Sequence, residues 1–152
     1  MIKGFTCSAF DLLHAGHILM LKECREQCDY LIVGLQTDPS TTDESYRGKK
    51  KDKPIETLEE RRIRLEGCKY VAKIEVYSTE EDLYKLLGTL KIDVRFVGED
   101  WRGKYFTGYD LPIKTIFNTR NHNYSSSNLK QRIIDAKTKF LERIWPGPIT
   151  VV

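Results

Sequence analysis

Short apolar runs alternate with amphipathic segments along most of the chain. The continuous run at 30–35 is typical of a strand buried in a parallel sheet, and the run at 2–7 predicts a second, shorter strand. Three more apolar runs predict strands at 73–76, 94–97 and 114–117. The segments between these strands carry apolar residues every three or four positions, which predicts helices.

Four helices are predicted. The first has an apolar stripe formed by Ile18, Leu21, Cys24 and Cys28. The second spans 58 to about 69, and the third follows hydroxyl caps at 78–79 and continues through Leu90. The fourth starts at the serines 125–127 and has a stripe formed by Leu129, Ile133, Ala136, Phe140 and Ile144.

Strands that alternate with helices predict right-handed β-α-β units and one parallel sheet. The expected fold class is α/β, a Rossmann-like open parallel sheet of about five strands with helices on both faces. Ligands of such sheets bind beyond the carboxyl ends of the strands, where the strand order reverses. We therefore expect the chemistry in the loops after the first, fourth and fifth strands.

The length of 152 residues suits one domain with a single core. We expect the functional domain at 1–137, and the end of the last helix with an extension at 138–152. The chain has neither an apolar stretch long enough to span a bilayer nor a secretory signal, so a cytoplasmic protein without a membrane partner is expected. The net charge of +3 is too small to indicate a nucleic-acid partner.

The four cysteines form no C-x-x-C pair, so we expect them to be reduced and to act as small apolar residues. A metal site built from Cys24 and Cys28 with the nearby histidines is the alternative. The segment 36–57 predicts a long loop, in which five of the seven residues 47–53 are basic. Such a run is typical of a solvated loop or of a phosphate-binding loop.

The first crossover turn contains the sequence His14-Ala-Gly-His17, which sets two imidazoles three residues apart at the start of a helix. Unpaired N–H groups and the helix dipole favour an anion at such a start, and Gly16 allows the backbone to approach it closely. Imidazole N–H groups suit a phosphate that gains charge in a transition state. The alternative is that both histidines are surface or capping residues.

Five segments of the chain carry a recognisable pattern: Phe10–His17, Thr37-Asp38, Glu60-Arg61 with Cys68–Val71, Val97–Lys104, and Arg120 with Tyr124–Lys130. Together they resemble the H-x-G-H nucleotidyltransferases, and specifically the glycerol-3-phosphate cytidylyltransferase-like group, in whose order they cover residues 1 to about 134. The resemblance implies that an acceptor phosphate attacks the α-phosphate of CTP and releases pyrophosphate, with magnesium bound to the triphosphate. It also implies a homodimer and no metal ligands from the protein itself.

The resemblance also implies roles for individual residues. The expected catalytic residues are His14, His17, Lys51 and Arg120. The expected nucleotide-binding residues are Ser8, Phe10, Gly16, Lys49, Gly98, Glu99, Asp100, Trp101, Tyr124, Ser125, Ser126 and Ser127. Arg61 and Lys69 are expected to face the same crevice, where one of them holds the acceptor phosphate.

Simpler interpretations remain open for several of these residues. Trp101 can pack the loop that carries it, the serines can be an ordinary helix cap, and Arg61 can form an i,i+4 surface pair. The chain also departs from the group at Ser8-Ala9, at Lys69 and at 121–123. The predicted function is CMP transfer from CTP to a small phosphorylated alcohol, with glycerol 3-phosphate as the leading candidate. An adenylyltransferase that uses ATP and a non-catalytic nucleotide-binding domain are the alternatives.

Overall fold

A computed structural model describes residues 1–42, 51–145 and 147–148. Within these residues five strands form a single sheet: β1 (Lys3–Ser8), β2 (Tyr30–Gln36), β3 (Lys73–Tyr77), β4 (Val94–Gly98) and β5 (Lys114–Asn118). The helices are α1 (Ala15–Glu26), α2 (Leu58–Glu66), α3 (Glu80–Thr89) and α4 (Ser126–Ile144). None of the described helices is long and apolar enough to cross a membrane.

The sheet is parallel throughout and has the strand order β3-β2-β1-β4-β5. Alternate residues of β2 face opposite sides. Leu31 and Val33 pack in the larger core cluster with α1 and α2, whereas Ile32 packs in the second cluster with α3. The predicted Rossmann-like parallel sheet with helices on both faces is therefore confirmed. The order reverses between β1 and β4, which places a crevice at their carboxyl ends.

Two helices end earlier than the sequence pattern predicts. Helix α2 ends at Glu66 rather than near position 69, because Gly67 follows as its C-cap. Helix α1 ends at Glu26, so Cys28 lies beyond the helix, although its side chain is still buried in the core. The predicted loop 36–57 begins with the last residue of β2 and a short 3₁₀ turn at Pro39–Thr41. Its residues 43–50 lie outside the described part of the chain.

Helix α4 differs from the other helices in how it packs. All of its residues are described, and none of them is buried. The predicted apolar stripe is present, but Ile133 is 54% exposed and Phe140 is 44% exposed. The helix is continuous across the predicted boundary at position 137, and that division of the chain remains a prediction.

Candidate active site

The start of α1 is capped by its own imidazoles. His14 is the N-cap residue, and its Nδ1 accepts a hydrogen bond from the backbone N–H of Gly16 at 3.0 Å. In return, Nδ1 of His17 accepts the backbone N–H of His14 at 3.2 Å. The two rings stack with their centroids 3.8 Å apart. Because each Nδ1 is an acceptor, each neutral ring carries its proton on Nε2 and can donate a hydrogen bond from that atom.

Both imidazoles are held in the neutral form. Burial, and then the charge of His14, lower the pKa of His17 to about 3. Burial also lowers the pKa of His14, with further contributions from the charges of His122 and Arg120. The start of α1 therefore presents neutral N–H donors at neutral pH, supported by the helix dipole. This arrangement suits an oxygen that gains negative charge.

The position of Gly16 is crowded by the rings of His14 and His122. It is buried, and a Cβ at this position would lie 2.9 Å from Cε1 of His14 and 3.0 Å from Cε1 of His122. Such contacts are too short for any other residue unless the rings move. The absence of a side chain at Gly16 therefore allows the imidazoles of His14 and His122 to lie directly over the first turn of α1.

The turn between β1 and α1 has a strained backbone. Phe10 and Leu12 adopt positive φ angles of 51° and 62°, which are rare for residues with a Cβ. Phe10 is 1% exposed and belongs to the larger core cluster, where its ring lies 5.3 Å from that of His17. The prediction that Phe10 binds the nucleotide is corrected. Its side chain packs in the core beside His17, so only its backbone can face a ligand.

Asp11 holds this strained turn in place. Its carboxylate accepts hydrogen bonds from the backbone N–H groups of Ile55 at 2.9 Å and Glu56 at 3.0 Å, and it lies 3.4 Å from Nζ of Lys130. Burial raises the pKa of Asp11, but these two hydrogen bonds and the Lys130 charge outweigh it, so the pKa is lowered. Glu56 in turn accepts the N–H of Leu12 at 2.7 Å. The turn is thereby tied to the segment before α2 and to α4.

The serines at the start of α4 lie beside this turn. The hydroxyl of Ser125 accepts the N–H of Asn128 at 3.1 Å, so this residue is the helix cap that the simpler interpretation expected. Ser126 donates to the backbone carbonyl of Asp11 at 3.4 Å, and Ser127 is exposed. The fold thus brings the start of α4 beside the turn that precedes α1, through two residues that are 115 positions apart in the chain.

Arg120 connects the start of α4 with the turn after β4. Its guanidinium donates to the carbonyl of Tyr124 at 3.3 Å and lies 4.0 Å from the carboxylate of Asp100. The side chains of both charged residues are more than half exposed, so the pair adds little stability and both groups remain accessible to a ligand. Tyr124 is also exposed.

The remaining residues of the β4 turn follow Gly98, the last residue of the strand. Residues Glu99–Trp101 form a 3₁₀ turn in which both carboxylate oxygens of Glu99 contact Arg102, at 2.6 and 3.0 Å. Trp101 is half-buried, and its side chain lies near Gly98. A ligand that binds Glu99 must therefore compete with an internal ion pair.

Three more residues are predicted to contribute to this site. Ser8 is the last residue of β1 and is half-buried. Lys51 is exposed and lies directly after the segment that is not described. Lys49 falls outside the described residues, so its assignment and that of Lys51 remain predictions.

The expected role of Arg61 is corrected. This residue is 2% exposed, and its guanidinium donates to the carbonyls of Glu56, Ala9, Gln36 and Thr37. These carbonyls come from the ends of β1 and β2 and from the segment before α2. A buried guanidinium committed to four backbone carbonyls is a structural group, which contradicts both acceptor binding and the alternative of a surface pair. The i,i+4 pair on this helix joins Arg62 to Glu66 instead.

The expected role of Lys69 is corrected as well. Helix α2 starts near the carboxyl ends of the strands and ends three residues before Lys69. Shortly afterwards Ala72 donates to the carbonyl of Leu31, near the start of β2. Lys69 thus lies at the amino end of the sheet, opposite the crevice, so the two residues do not share a site.

Sequence reasoning missed three residues of this region, namely Asp11, His122 and Lys130. Asp11 and Lys130 lay within segments that carried the family resemblance, but their pairing spans 119 positions and needed the fold. His122 was signalled only by the scarcity of histidine, of which the chain has three.

A metal centre formed by the cysteines finds no support. Cys24 and Cys28 are buried in the core, and burial raises the pKa of Cys24 to about 12. In the residues that the structure describes, no group of three or more His, Cys, Asp or Glu side chains is arranged to hold a metal ion.

Comparison with solved structures supports the fold. A lipopolysaccharide core biosynthesis protein from Thermoplasma volcanium superimposes with a TM-score of 0.54 at 23% identity, over 90% of this chain and 89% of that one. A pantoate-β-alanine ligase from Francisella tularensis gives 0.58 at 18% identity, over 93% and 70% of the two chains. Identities this low show a shared fold alone.

Sequence comparison identifies relatives of similar and of greater length. Glycerol-3-phosphate cytidylyltransferases from Bacillus subtilis and Staphylococcus aureus are 30% and 31% identical, over 88% and 91% of this chain and 98% and 100% of their own lengths. The bifunctional protein HldE from Campylobacter concisus is 33% identical over 88% of this chain, which spans 27% of that protein. A model of the cytidylyltransferase-like family matches residues 5–132. With this match over most of its length, the chain belongs to the cytidylyltransferase-like family.

Proposed function

We propose that this protein is a cytidylyltransferase that transfers CMP from CTP to a small phosphorylated alcohol, with glycerol 3-phosphate as the leading candidate. The observation that carries the proposal is the pair of neutral Nε2–H donors at the start of α1, placed beside the start of α4. The two full-length relatives named glycerol-3-phosphate cytidylyltransferase support the choice of nucleotide and acceptor.

In the proposed reaction an oxygen of the acceptor phosphate attacks the α-phosphorus of CTP. A new P–O bond forms while the bond to the β-phosphate breaks, and the electron pair leaves with pyrophosphate. His14 and His17 donate hydrogen bonds to the oxygens that gain charge, and neither forms a covalent bond to the nucleotide. Positioning and charge stabilisation of this kind suit a transfer between phosphates.

Other groups of the site suit the rest of the nucleotide. The start of α4 and Arg120 would hold the β- and γ-phosphates, since free N–H groups and a guanidinium bind phosphate well. Lys51 and Lys49 would add positive charge for the triphosphate, and the β4 turn at 98–101 would contact the ribose and base. No residue is assigned to the acceptor phosphate.

Magnesium would reach the site with the triphosphate. The imidazole N–H groups of α1 and the guanidinium of Arg120 fit phosphate oxygens, and the described residues contain no cluster of acidic side chains arranged to hold a metal ion. Magnesium commonly binds through substrate phosphates, and there it would neutralise the charge of the departing pyrophosphate.

Pyrophosphate release tests this proposal. The chain is incubated with CTP or ATP and a panel of phosphorylated alcohols, and a His14→Ala variant serves as the matched control. We expect release with CTP and glycerol 3-phosphate, and strong loss of release in the variant. Comparable kcat/KM values for both nucleotides would support the adenylyltransferase alternative, and binding without release would support the non-catalytic one.

We also propose that the protein is a homodimer in which a second copy covers the apolar face of α4. Large exposed side chains occur along this helix, including Ile133, Phe140 and Ile144. Contiguous exposed apolar surface of this kind commonly marks an interface. Sedimentation equilibrium should give a dimer for the native chain and a monomer for Ile133→Glu/Phe140→Glu, with Glu142→Lys on the same helix as the control. A monomeric native chain would contradict the proposal.

A further inference from the structure

All three histidines of the chain lie together at the start of α1. The sequence contains three histidines, and His122 lies with His14 and His17 over the start of α1. His122 comes from the segment between β5 and α4, more than 100 residues after the H-x-G-H motif. This segment is one of those in which the chain departs from the group that it resembles, so the motif does not account for the position.

His122 and His14 approach the same point of the backbone. The Cε1 atoms of both rings lie within 3.0 Å of the position that a Cβ of Gly16 would occupy. The two rings therefore lie side by side above this glycine. Their proximity is also apparent in the electrostatics, because the charge of His122 lowers the pKa of His14 after the larger effect of burial.

His122 is oriented by the same device that orients His14. In each case Nδ1 accepts the backbone N–H of the residue two positions later, which is Tyr124 at 3.2 Å for His122. The ring of Tyr124 also stacks on His122, with the centroids 5.2 Å apart. With Nδ1 as the acceptor, Nε2 of His122 is left to donate a hydrogen bond, as in the other two imidazoles of the site.

His122 lies near groups assigned to both parts of the nucleotide. Its ring is beside His14, which is assigned to the α-phosphate, and it comes from the same segment as Arg120, which is assigned to the β- and γ-phosphates. Because an oriented hydrogen-bond donor is effective where charge develops, the position of His122 suits the bond between the α- and β-phosphates.

We propose that His122 is a third phosphate-binding imidazole of this site, which donates a hydrogen bond from Nε2 to an oxygen of the departing pyrophosphate. This inference rests on the proposed nucleotidyl transfer and adds to it a residue that the family motif does not supply. His122 transfers no proton in this role. It stabilises charge on the leaving group while His14 and His17 act at the α-phosphate.

Two variants separate donation from packing. His122→Gln keeps an N–H donor near the position of Nε2, whereas His122→Phe keeps a ring to stack on Tyr124 and removes the donor. We expect His122→Phe to lower kcat by about 10- to 100-fold with a smaller change in KM for CTP, and His122→Gln to retain most of the activity. Asn121→Ala, an exposed neighbour, is the control and should leave kcat unchanged. Equal kcat values for the Phe variant and the native chain would overturn the inference.

A binding measurement distinguishes failure of this inference from failure of the proposed function. With three histidines, the native chain gives three imidazole Cε1–H signals in a ¹H–¹³C spectrum, and each is assigned by the variant that lacks it. We expect inorganic pyrophosphate to shift the His122 signal. A shift without any CTP turnover would contradict the proposed function and leave the phosphate site in place. Turnover with an unshifted His122 signal would overturn the inference alone.

Discussion

The starts of α1 and α4 are built from similar parts but differ in how firmly they are held. Each is preceded by a histidine whose Nδ1 accepts an N–H two residues later. At α1, Phe10, Asp11 and Gly16 are buried, and the turn is braced by Asp11 and Arg61. At α4 the corresponding tyrosine and Arg120 are exposed, and no residue of the fully described helix is buried.

This difference indicates a division of labour within one site. Groups that stabilise a transition state must be held in a fixed geometry, and a buried, crowded helix start provides it. Groups that bind the ends of a substrate tolerate more motion, and they have to admit and release it. In the proposed reaction, the firmly held start of α1 would therefore suit the reacting phosphate, and the exposed start of α4 would suit the leaving pyrophosphate.

Replacement of Arg61 should have the largest effect on stability, because this residue braces the turn before α1. Arg61→Leu leaves four buried or partly buried carbonyls without this donor, so we expect the free energy of unfolding to fall by about 3 kcal/mol or more. Arg62→Leu, which breaks only an exposed pair with Glu66, should change it by about 0.5 kcal/mol or less. Urea unfolding of both variants measures the contrast. A loss of the same size in the two would refute the bracing role of Arg61.

The imidazoles of α1 should matter more for turnover than for binding. His14→Ala and His17→Ala each remove an oriented donor, so we expect kcat to fall by about 10²-fold or more while the Kd of CTP changes much less. Steady-state kinetics and equilibrium binding give the two quantities. If kcat stayed near normal in both variants, the catalytic assignment would be wrong.

Low pH should reduce the free energy of unfolding through protonation of His17. Its pKa lies at about 3 in the folded chain and near the ordinary value of 6.5 in the unfolded chain, so the unfolded state binds the additional proton between these values. Stability is therefore lost as the pH falls from 6.5 towards 3, by about 1.4 kcal/mol per pH unit from this group. Unfolding of the native chain and of His17→Gln over this range isolates the contribution. Parallel pH curves would exclude it.

Changes to the cap of α4 should have the smallest effect. Ser125→Ala removes a hydrogen bond to Asn128 and should weaken the first turn by about 1 kcal/mol. Because no α4 residue is buried, we expect this loss to appear as faster amide hydrogen exchange in the helix, with little change in global stability. A global loss as large as that of Arg61→Leu would show that α4 is integral to the core.

Local patterns in the sequence determined the elements and the central motif. Apolar runs and helical stripes predicted the five strands and four helices, because periodicity reports directly which faces are buried. The H-x-G-H spacing also identified the start of α1, because capping depends on residues only two or three positions apart. The apolar stripe of α4 was also predicted from the sequence, but the exposure of its side chains to solvent was not.

Only the tertiary structure decided which distant groups meet. Arg61 looked like a phosphate ligand until the ends of β1 and β2 placed four carbonyls around it, and Lys69 is excluded by the direction in which α2 runs. His122 became part of the site because the parallel sheet brings the chain after β5 beside the turn after β1. The physical reason is common to these cases: the role of a polar side chain depends on partners that are far away in sequence, and a local pattern contains no information about them.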